Sequence, residues 1–124
     1  MNLARIGQIL FALPILAFGI MHFPAAGDMA GMVPGWVPGG ILWVYLTGVA
    51  LIAAAVSFLI GKYTVEAGIA LAVLLGSFVL TIHLPGVMNP ETADMAMPNL
   101  LKDVGLMGGA LMAGHLGRRE SGEA

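Results

Sequence analysis

The sequence predicts an all-α fold, a four-transmembrane-helix bundle built from two repeated helical hairpins. Of its 124 residues, 59% are hydrophobic and only 10% are charged, with a mean hydropathy of +0.94. Such a chain cannot cover itself with a water-soluble surface, so it belongs in a bilayer. Four apolar segments approach the roughly 20 residues that a spanning helix needs. A motif at the end of the first segment returns at the end of the third.

The repeated motif is His-x-Pro followed by Asp-Met-Ala. It begins at His22 in the first copy and at His83 in the second, and the two triplets open at Asp28 and Asp94. The same offset aligns three upstream pairs, which are Gly7 with Gly68, Leu10 with Leu71 and Leu13 with Leu74. We infer that the two halves of the chain descend from one ancestral unit.

One transmembrane domain is predicted over residues 1–116, followed by a short polar cytoplasmic tail over 117–124. The predicted helices cover about 3–23, 40–60, 65–84 and 99–116. The connection between the second and third helices is short, so these two helices should form an antiparallel hairpin. In the fourth helix Gly105, Gly109 and Ala113 recur every four positions, which predicts a face for close helix packing.

The positive charges predict the orientation in the cell membrane. Arg5 lies near the amino terminus and Lys62 in the middle connection, while Arg118 and Arg119 lie near the carboxyl terminus. An even number of spans places all of them on one side, and cytoplasmic segments retain Lys and Arg. We therefore expect a multi-pass inner (plasma) membrane protein with both termini in the cytoplasm. Trp36 falls in the first outer loop, where it suits an interfacial aromatic belt and is a candidate ligand contact.

Charge and cysteine content exclude several classes of function. The net charge of -2 comes without a basic stripe, so nucleic acid is not an expected partner. The sequence contains no cysteine, which removes disulfides, thiolate metal sites and thiol catalysis. We expect the lipid bilayer as a partner and no intrinsic cofactor.

Polar residues fall at one depth of the predicted bundle. His22 ends the first helix and His83 ends the third. Asn99, Lys102 and Asp103 open the fourth helix on the same, outer side. Ionisable groups within a bilayer are costly and tend to face the bundle interior or a water-filled cavity. These five residues, together with Trp36, are therefore our candidates for ligand binding or proton relay, while the catalytic residues stay unassigned.

Some of these candidates also have a purely structural interpretation. A histidine near a helix end can hydrogen-bond carbonyl groups that the helix terminus leaves free, and we weigh this equally with ligand binding for His22 and His83. For Lys102 we favour an anchor that extends to lipid headgroups over contact with a carboxylate. His115 is interpreted as an interfacial residue near the inner end of the fourth helix.

Methionines in the outer loops raise a minor hypothesis of a copper site. Thioether and imidazole groups are the ligands that Cu(I) prefers, and the residues of this set are His22, His83, Met29, Met95 and Met97. Methionine is also an adaptable packing residue, and packing is the stronger interpretation. No metal is therefore our main expectation.

Five stretches of sequence resemble the DoxX family of small four-helix membrane proteins. They are Gly-Ile-Met-His-Phe at 19–23, Met-Val-Pro-Gly-Trp-Val-Pro at 32–38, Leu-Thr-Gly-Val at 46–49, Asn-Leu-Leu-Lys-Asp at 99–103 and Gly-Gly-Ala-Leu at 108–111. The resemblance covers nearly the whole chain. It rests on helix-end signatures and not on a catalytic motif, so it supports architecture more strongly than activity.

The DoxX family is named for a subunit of a thiosulfate:quinone oxidoreductase. The resemblance implies an accessory or quinone-binding subunit of a respiratory or sulfur-oxidising electron-transfer assembly, with a redox protein as partner. Without paired haem-ligating histidines within its helices, the chain is not expected to be catalytic alone. Two alternatives stay open: a stand-alone membrane binder or carrier of a small ligand, and a structural subunit that forms homo-oligomers or stabilises an assembly.

Overall fold

The structure is a computed structural model that describes residues 2–121. All the regular secondary structure of these residues is helical. Side chains are described as far as Gly117. The elements in chain order are α1 (Leu3–Met21), α2 (Ala26–Met29), a 3₁₀ turn (Ala30–Met32), α3 (Ile41–Ile60), α4 (Thr64–Phe78), a π-helical segment (Val79–His83), α5 (Leu84–Met88) and α6 (Ala93–Ser121). The predicted all-α class is confirmed.

Three helical stretches are long and apolar enough to cross a membrane: Leu3–Met21, Ile41–Ile60 and the continuous run Thr64–Met88. At most 33% of the most apolar window of each stretch is buried inside the protein, so most of its apolar surface faces outward. Helices that expose apolar side chains in this way require lipid as solvent. Length and composition therefore indicate a membrane protein. The longest helix, α6, is not among these three, because charged and glycine residues lower its hydropathy.

The predicted boundaries of three helices need correction. The first helix ends at Met21 and not at residue 23. The third helix does not stop at residue 84 but continues to Met88 through the π-helical segment. The fourth begins at Ala93, six residues early, because Pro98 in its second turn removes only one ladder hydrogen bond. It runs on to Ser121, so the first part of the predicted tail is helical, and residues 122–124 lie outside the described chain.

The helices pack as two main pairs, α1 with α3 and α4 with α6. Their shared core is built from small and branched apolar side chains around Ile15, Leu51 and Leu71. Phe58 is fully buried there and meets Phe11 edge to face, with ring centroids 5.7 Å apart. Contacts of α1 with α6 and of α3 with α4 join the two pairs into one bundle.

Glycines allow the backbones of each pair to approach closely. A Cβ atom added to Gly48 of α3 would lie 3.0 Å from the carbonyl oxygen of Gly19 in α1. A Cβ atom on Gly114 of α6 would lie 2.6 Å from the carbonyl oxygen of Thr64 in α4, and one on Gly68 would overlap the carbonyl of Ala110. Small residues therefore fix both crossings, as in many membrane helix pairs.

The small-residue face predicted on α6 is present only in part. Ala113 is buried, and a Cβ atom on Gly109 would lie 2.9 Å from the Phe11 ring. Gly105 is exposed, and an added Cβ would meet nothing within 4 Å. The packing face therefore continues through Gly114 and not through Gly105, since it turns with the helix.

The internal repeat stays a prediction, because aligned residues of the two halves lie in different environments. Leu10 is 63% exposed whereas Leu71 is 2% exposed. Gly7 has open space around it, whereas Gly68 lies against the backbone of α6. The equivalence of the two halves does not extend to the burial of these upstream positions.

Candidate functional site

A cavity of about 530 Å³ lies between α1, α3, α4 and α6, at the end of the bundle where α6 begins. We call it the polar cavity, because its otherwise apolar wall contains His22, His83, Asn99, Lys102 and Asp103. The apolar part of the wall includes Ile15, Phe18, Val44, Leu51, Phe78 and Leu106. Five of the six candidates for ligand binding or proton relay thus line one space. A concave apolar wall with a few convergent polar groups is the usual form of a small-molecule site.

A hydrogen bond between two buried side chains is one of the polar contacts of the cavity. His83 Nε2 lies 2.8 Å from Asp103 Oδ2, and both side chains are buried. Since a carboxylate only accepts hydrogen bonds, the Nε2 hydrogen of His83 is the donor. The other carboxylate oxygen, Oδ1, lies 3.7 Å from Lys102 Nζ. Both oxygens of Asp103 therefore have a partner, as a buried carboxylate requires.

Lys102 points into this cluster. Its ammonium nitrogen lies 3.4 Å from Asn99 Oδ1 and 5.2 Å from the centroid of the Phe18 ring. Together with the contact to Asp103, these distances show that Lys102 contacts a carboxylate, which was the less favoured of its two interpretations. The anchor interpretation of Lys102 is wrong in this respect. The four-carbon stem lets the ammonium turn back to its sequence neighbour although adjacent Cβ atoms diverge by about 100°.

His22 lies at the end of α1, where its ring has a fixed orientation. Its Nδ1 atom lies 2.6 Å from the carbonyl oxygen of Phe18 and donates to it. The Cβ atom of His22 packs against Gly48, where an added Cβ would come within 2.8 Å. The structural interpretation thus accounts for one ring nitrogen. The other nitrogen, Nε2, has no hydrogen-bond partner within the described chain, and the residue lines the polar cavity.

The π-helical segment Val79–His83 sets the position of His83 and was not predicted. The N–H of Leu84 donates to the carbonyl of Val79, five residues back. Pro85 has no N–H for the carbonyl of Thr81, and widening the turn is one way to accommodate this loss. Nearby, the hydroxyl group of Thr81 donates to the carbonyl of Ser77 at 2.7 Å. The sequence signal was the proline two residues after the histidine.

Trp36 does not join the candidate site. Its side chain is 76% exposed, and it is not part of the cavity wall. Trp43, in the first turn of α3, lines the cavity instead, and its indole N–H donates to the carbonyl of Pro38. The hydroxyl residues Thr47, Ser77 and Thr81 also line the cavity and were missed. Hydroxyl groups within apolar helices give no distinctive signal in a sequence.

The methionines proposed as copper ligands are divided. Met29 lines the polar cavity with both histidines, whereas Met95 is 78% exposed and, like Met97, lies outside the cavity wall. Among the described residues, no cluster of three or more histidine, aspartate or glutamate side chains could hold a metal ion. The set of five proposed for Cu(I) is therefore not brought together.

A family model described as "Domain of unknown function (DUF8561)" matches residues 11–97 of the chain. The chain belongs to this family. The part shared with DUF8561 includes His22, His83 and the residues between 29 and 37 that line the polar cavity. It ends before Asn99, Lys102 and Asp103. Searches of curated proteins and of solved structures give no match. The description of DUF8561 assigns no activity, so the functional argument rests on the site, and the resemblance to DoxX stays a prediction.

Proposed function

We propose that the protein binds a small, largely apolar ligand from the membrane in the polar cavity. The observation that carries this proposal is the convergence of His22, His83 and Asp103 on a cavity of about 530 Å³ whose remaining wall is mostly apolar. The apolar wall suits a hydrocarbon or ring body, and the polar end suits one hydrogen-bonding group. Buried ionisable residues in a membrane protein are functional candidates by default.

Within this proposal, the protein acts as an accessory subunit of a membrane electron-transfer assembly, and a quinone is the ligand. This part rests on the resemblance to DoxX and on the fit of a ring with polar oxygens to the cavity. The redox centre belongs to the partner protein, so the chain is not an oxidoreductase by itself. Stand-alone binding or transport of a small ligand is the alternative, and it uses the same cavity.

We also propose four spans, with α6 as the fourth and both termini in the cytoplasm. The close crossing of α4 and α6 supports a course of α6 beside α4 through the bilayer. Its most costly residue, Asp103, is turned inward and paired with His83. A charge that faces a partner inside the bundle adds far less to the cost of insertion than one that faces lipid.

Ligand binding is tested by mass spectrometry of the protein extracted in native lipid particles. We expect a specific non-lipid small molecule to be retained by the wild type. Thr47→Trp should lose it, because Thr47 lines the cavity and an indole would fill part of it. The matched control is Ala53→Trp, which places the same side chain on the exposed face of the same helix. Equal ligand content in both variants, or no ligand in the wild type, would contradict the proposal.

The role as a subunit needs a separate experiment. Purification from native membranes in mild detergent should recover a redox protein with the wild-type chain. Repeated recovery of the chain alone, with its ligand, would favour the stand-alone alternative. If the wild type held no ligand, and His22→Gln combined with His83→Gln left assembly and phenotype unchanged, the structural alternative would be supported, in which the polar residues only seal helix ends.

A further inference from the structure

The hydrogen-bonding groups of the polar cavity point to a particular chemical class of ligand. We infer that His22 Nε2 accepts a hydrogen bond from the ligand, and that the cavity therefore selects an uncharged amphiphile with a hydroxyl group, such as a phenol. This inference rests on the proposed function and specifies the polar group that the site recognises. Three features of the site carry it.

The first feature is the fixed orientation of the His22 ring. A carbonyl oxygen only accepts hydrogen bonds, so the 2.6 Å contact with Phe18 places a hydrogen on Nδ1. In the neutral imidazole the other nitrogen, Nε2, then carries a lone pair and can only accept. Within the described chain no group donates to it. A ligand hydroxyl group, such as that of a reduced quinone (a quinol), would supply the missing donor, whereas an ether or a ketone, including an oxidised quinone, would not.

The second feature is the internal balance of charge. Lys102 and Asp103 carry opposite charges 3.7 Å apart, and the second carboxylate oxygen of Asp103 already accepts from His83. A cationic ligand would therefore find the carboxylate occupied. An anionic ligand would gain from Lys102 but would also lie beside Asp103. An uncharged ligand avoids both conflicts.

The third feature is a second imidazole with the same property. His83 uses Nε2 to contact Asp103, and its Nδ1 has no hydrogen-bond partner among the described residues. When the ring is neutral and Nε2 carries the hydrogen, Nδ1 is an acceptor. The two histidines of the cavity wall thus both offer acceptors, whereas the ammonium group of Lys102 already contacts Asn99 and Asp103. A hydroxyl group satisfies this set better than a group that only accepts.

The test compares two probes that differ in one hydrogen-bond donor, 4-heptylphenol and its methyl ether, 4-heptylanisole. The protein is placed in lipid vesicles, and binding is followed by the fluorescence of Trp43, which lines the cavity. The sequence has two tryptophans, so Trp36→Phe leaves Trp43 as the single reporter. Empty vesicles correct for partition of each probe into lipid. We expect the phenol to bind about 3- to 10-fold more tightly than the ether, as one net hydrogen bond allows.

Variants of His22 show whether this residue causes the preference. In His22→Leu the phenol and the ether should bind equally, whereas His22→Gln, whose amide oxygen is an acceptor, should retain part of the preference. His115→Leu removes an exposed histidine far from the cavity wall and should retain all of it. Circular dichroism confirms that each variant is folded.

The outcomes separate this inference from the proposed function. Equal binding of both probes to the reporter protein, or a preference that persists in folded His22→Leu, would overturn the inference and leave ligand binding intact. Failure of both probes to bind would overturn both proposals.

Discussion

Removing the histidine of the buried pair should destabilise the protein more than removing both partners. His83→Leu leaves the Asp103 carboxylate buried without its closest donor, which was 2.8 Å away. Breaking a buried ion pair from one side typically costs about 3–5 kcal/mol. Lys102 still lies 3.7 Å from the other carboxylate oxygen. Because that contact persists, we expect the lower end of the range, about 3 kcal/mol.

The double variant isolates the role of the uncompensated charge. His83→Leu combined with Asp103→Leu removes both polar groups and replaces them with apolar side chains, and Leu has the same branching as Asp. Such replacements of buried pairs are often neutral or stabilising, so we expect a free energy of unfolding within about 1 kcal/mol of the wild type. Lys102→Met provides a control, because its side chain is 46% exposed and exposed pairs contribute at most about 1 kcal/mol.

Unfolding by sodium dodecyl sulfate, followed by far-ultraviolet circular dichroism, gives the free energies for a double-mutant cycle. We expect the double variant to be more stable than His83→Leu alone, because the second substitution removes the uncompensated carboxylate. A double variant at least as unstable as His83→Leu would refute the reasoning. It would mean that the pair stabilises the bundle by attraction and that the buried carboxylate bears no desolvation cost.

Three further predictions follow from the packing and the topology. Gly68→Leu should destabilise the bundle by more than about 2 kcal/mol, because the backbone of α6 leaves no room for a side chain. Gly105→Ala is the control and should be neutral or stabilising. Unfolding titrations measure both free energies, and equal effects would contradict the close crossing of α4 and α6. Arg5→Leu should cost about 1–2 kcal/mol, because its guanidinium donates to the free carbonyls of Phe58 and Leu59, and the same titrations measure it. The natural chain has no cysteine, so Asp28→Cys and Lys62→Cys provide single labels, and a membrane-impermeant maleimide should reach only the first from outside intact cells.

The apolar helices and the convergence of the polar residues follow from rules that act locally. Length and composition locate segments that need lipid, and the cost of burying a charge indicates that Asp103 turns inward. The partner of Lys102 was not predictable in the same way, because a flexible four-carbon side chain reaches either a headgroup or a neighbour. The choice depends on Phe18 and Asn99, which other parts of the fold bring beside it.

Loop residues and helix irregularities were the least predictable parts of the site. Trp36 and Trp43 are close in the sequence and were both expected near one membrane interface, yet only Trp43 lines the cavity. The direction of a loop side chain depends on tertiary contacts such as the bond from the Trp43 indole to the carbonyl of Pro38. A helix can accommodate Pro85 in more than one way. The sequence therefore does not determine that the chain forms a π-helical segment before it.

The distribution of buried polar groups also bears on how a ligand reaches the cavity. In the described part of the chain, the buried polar side chains are Gln8 and Thr64 at one end of the bundle and His83 and Asp103 at the other. Between them lies a core of apolar side chains that includes Ile15, Leu71 and Ala110. A polar group of a ligand that crossed this core would find no side-chain hydrogen-bond partner. The crossing would cost several kcal/mol, on the order of the cost of burying a polar group without a hydrogen bond. We therefore expect a ligand that enters the polar cavity to leave from the same end.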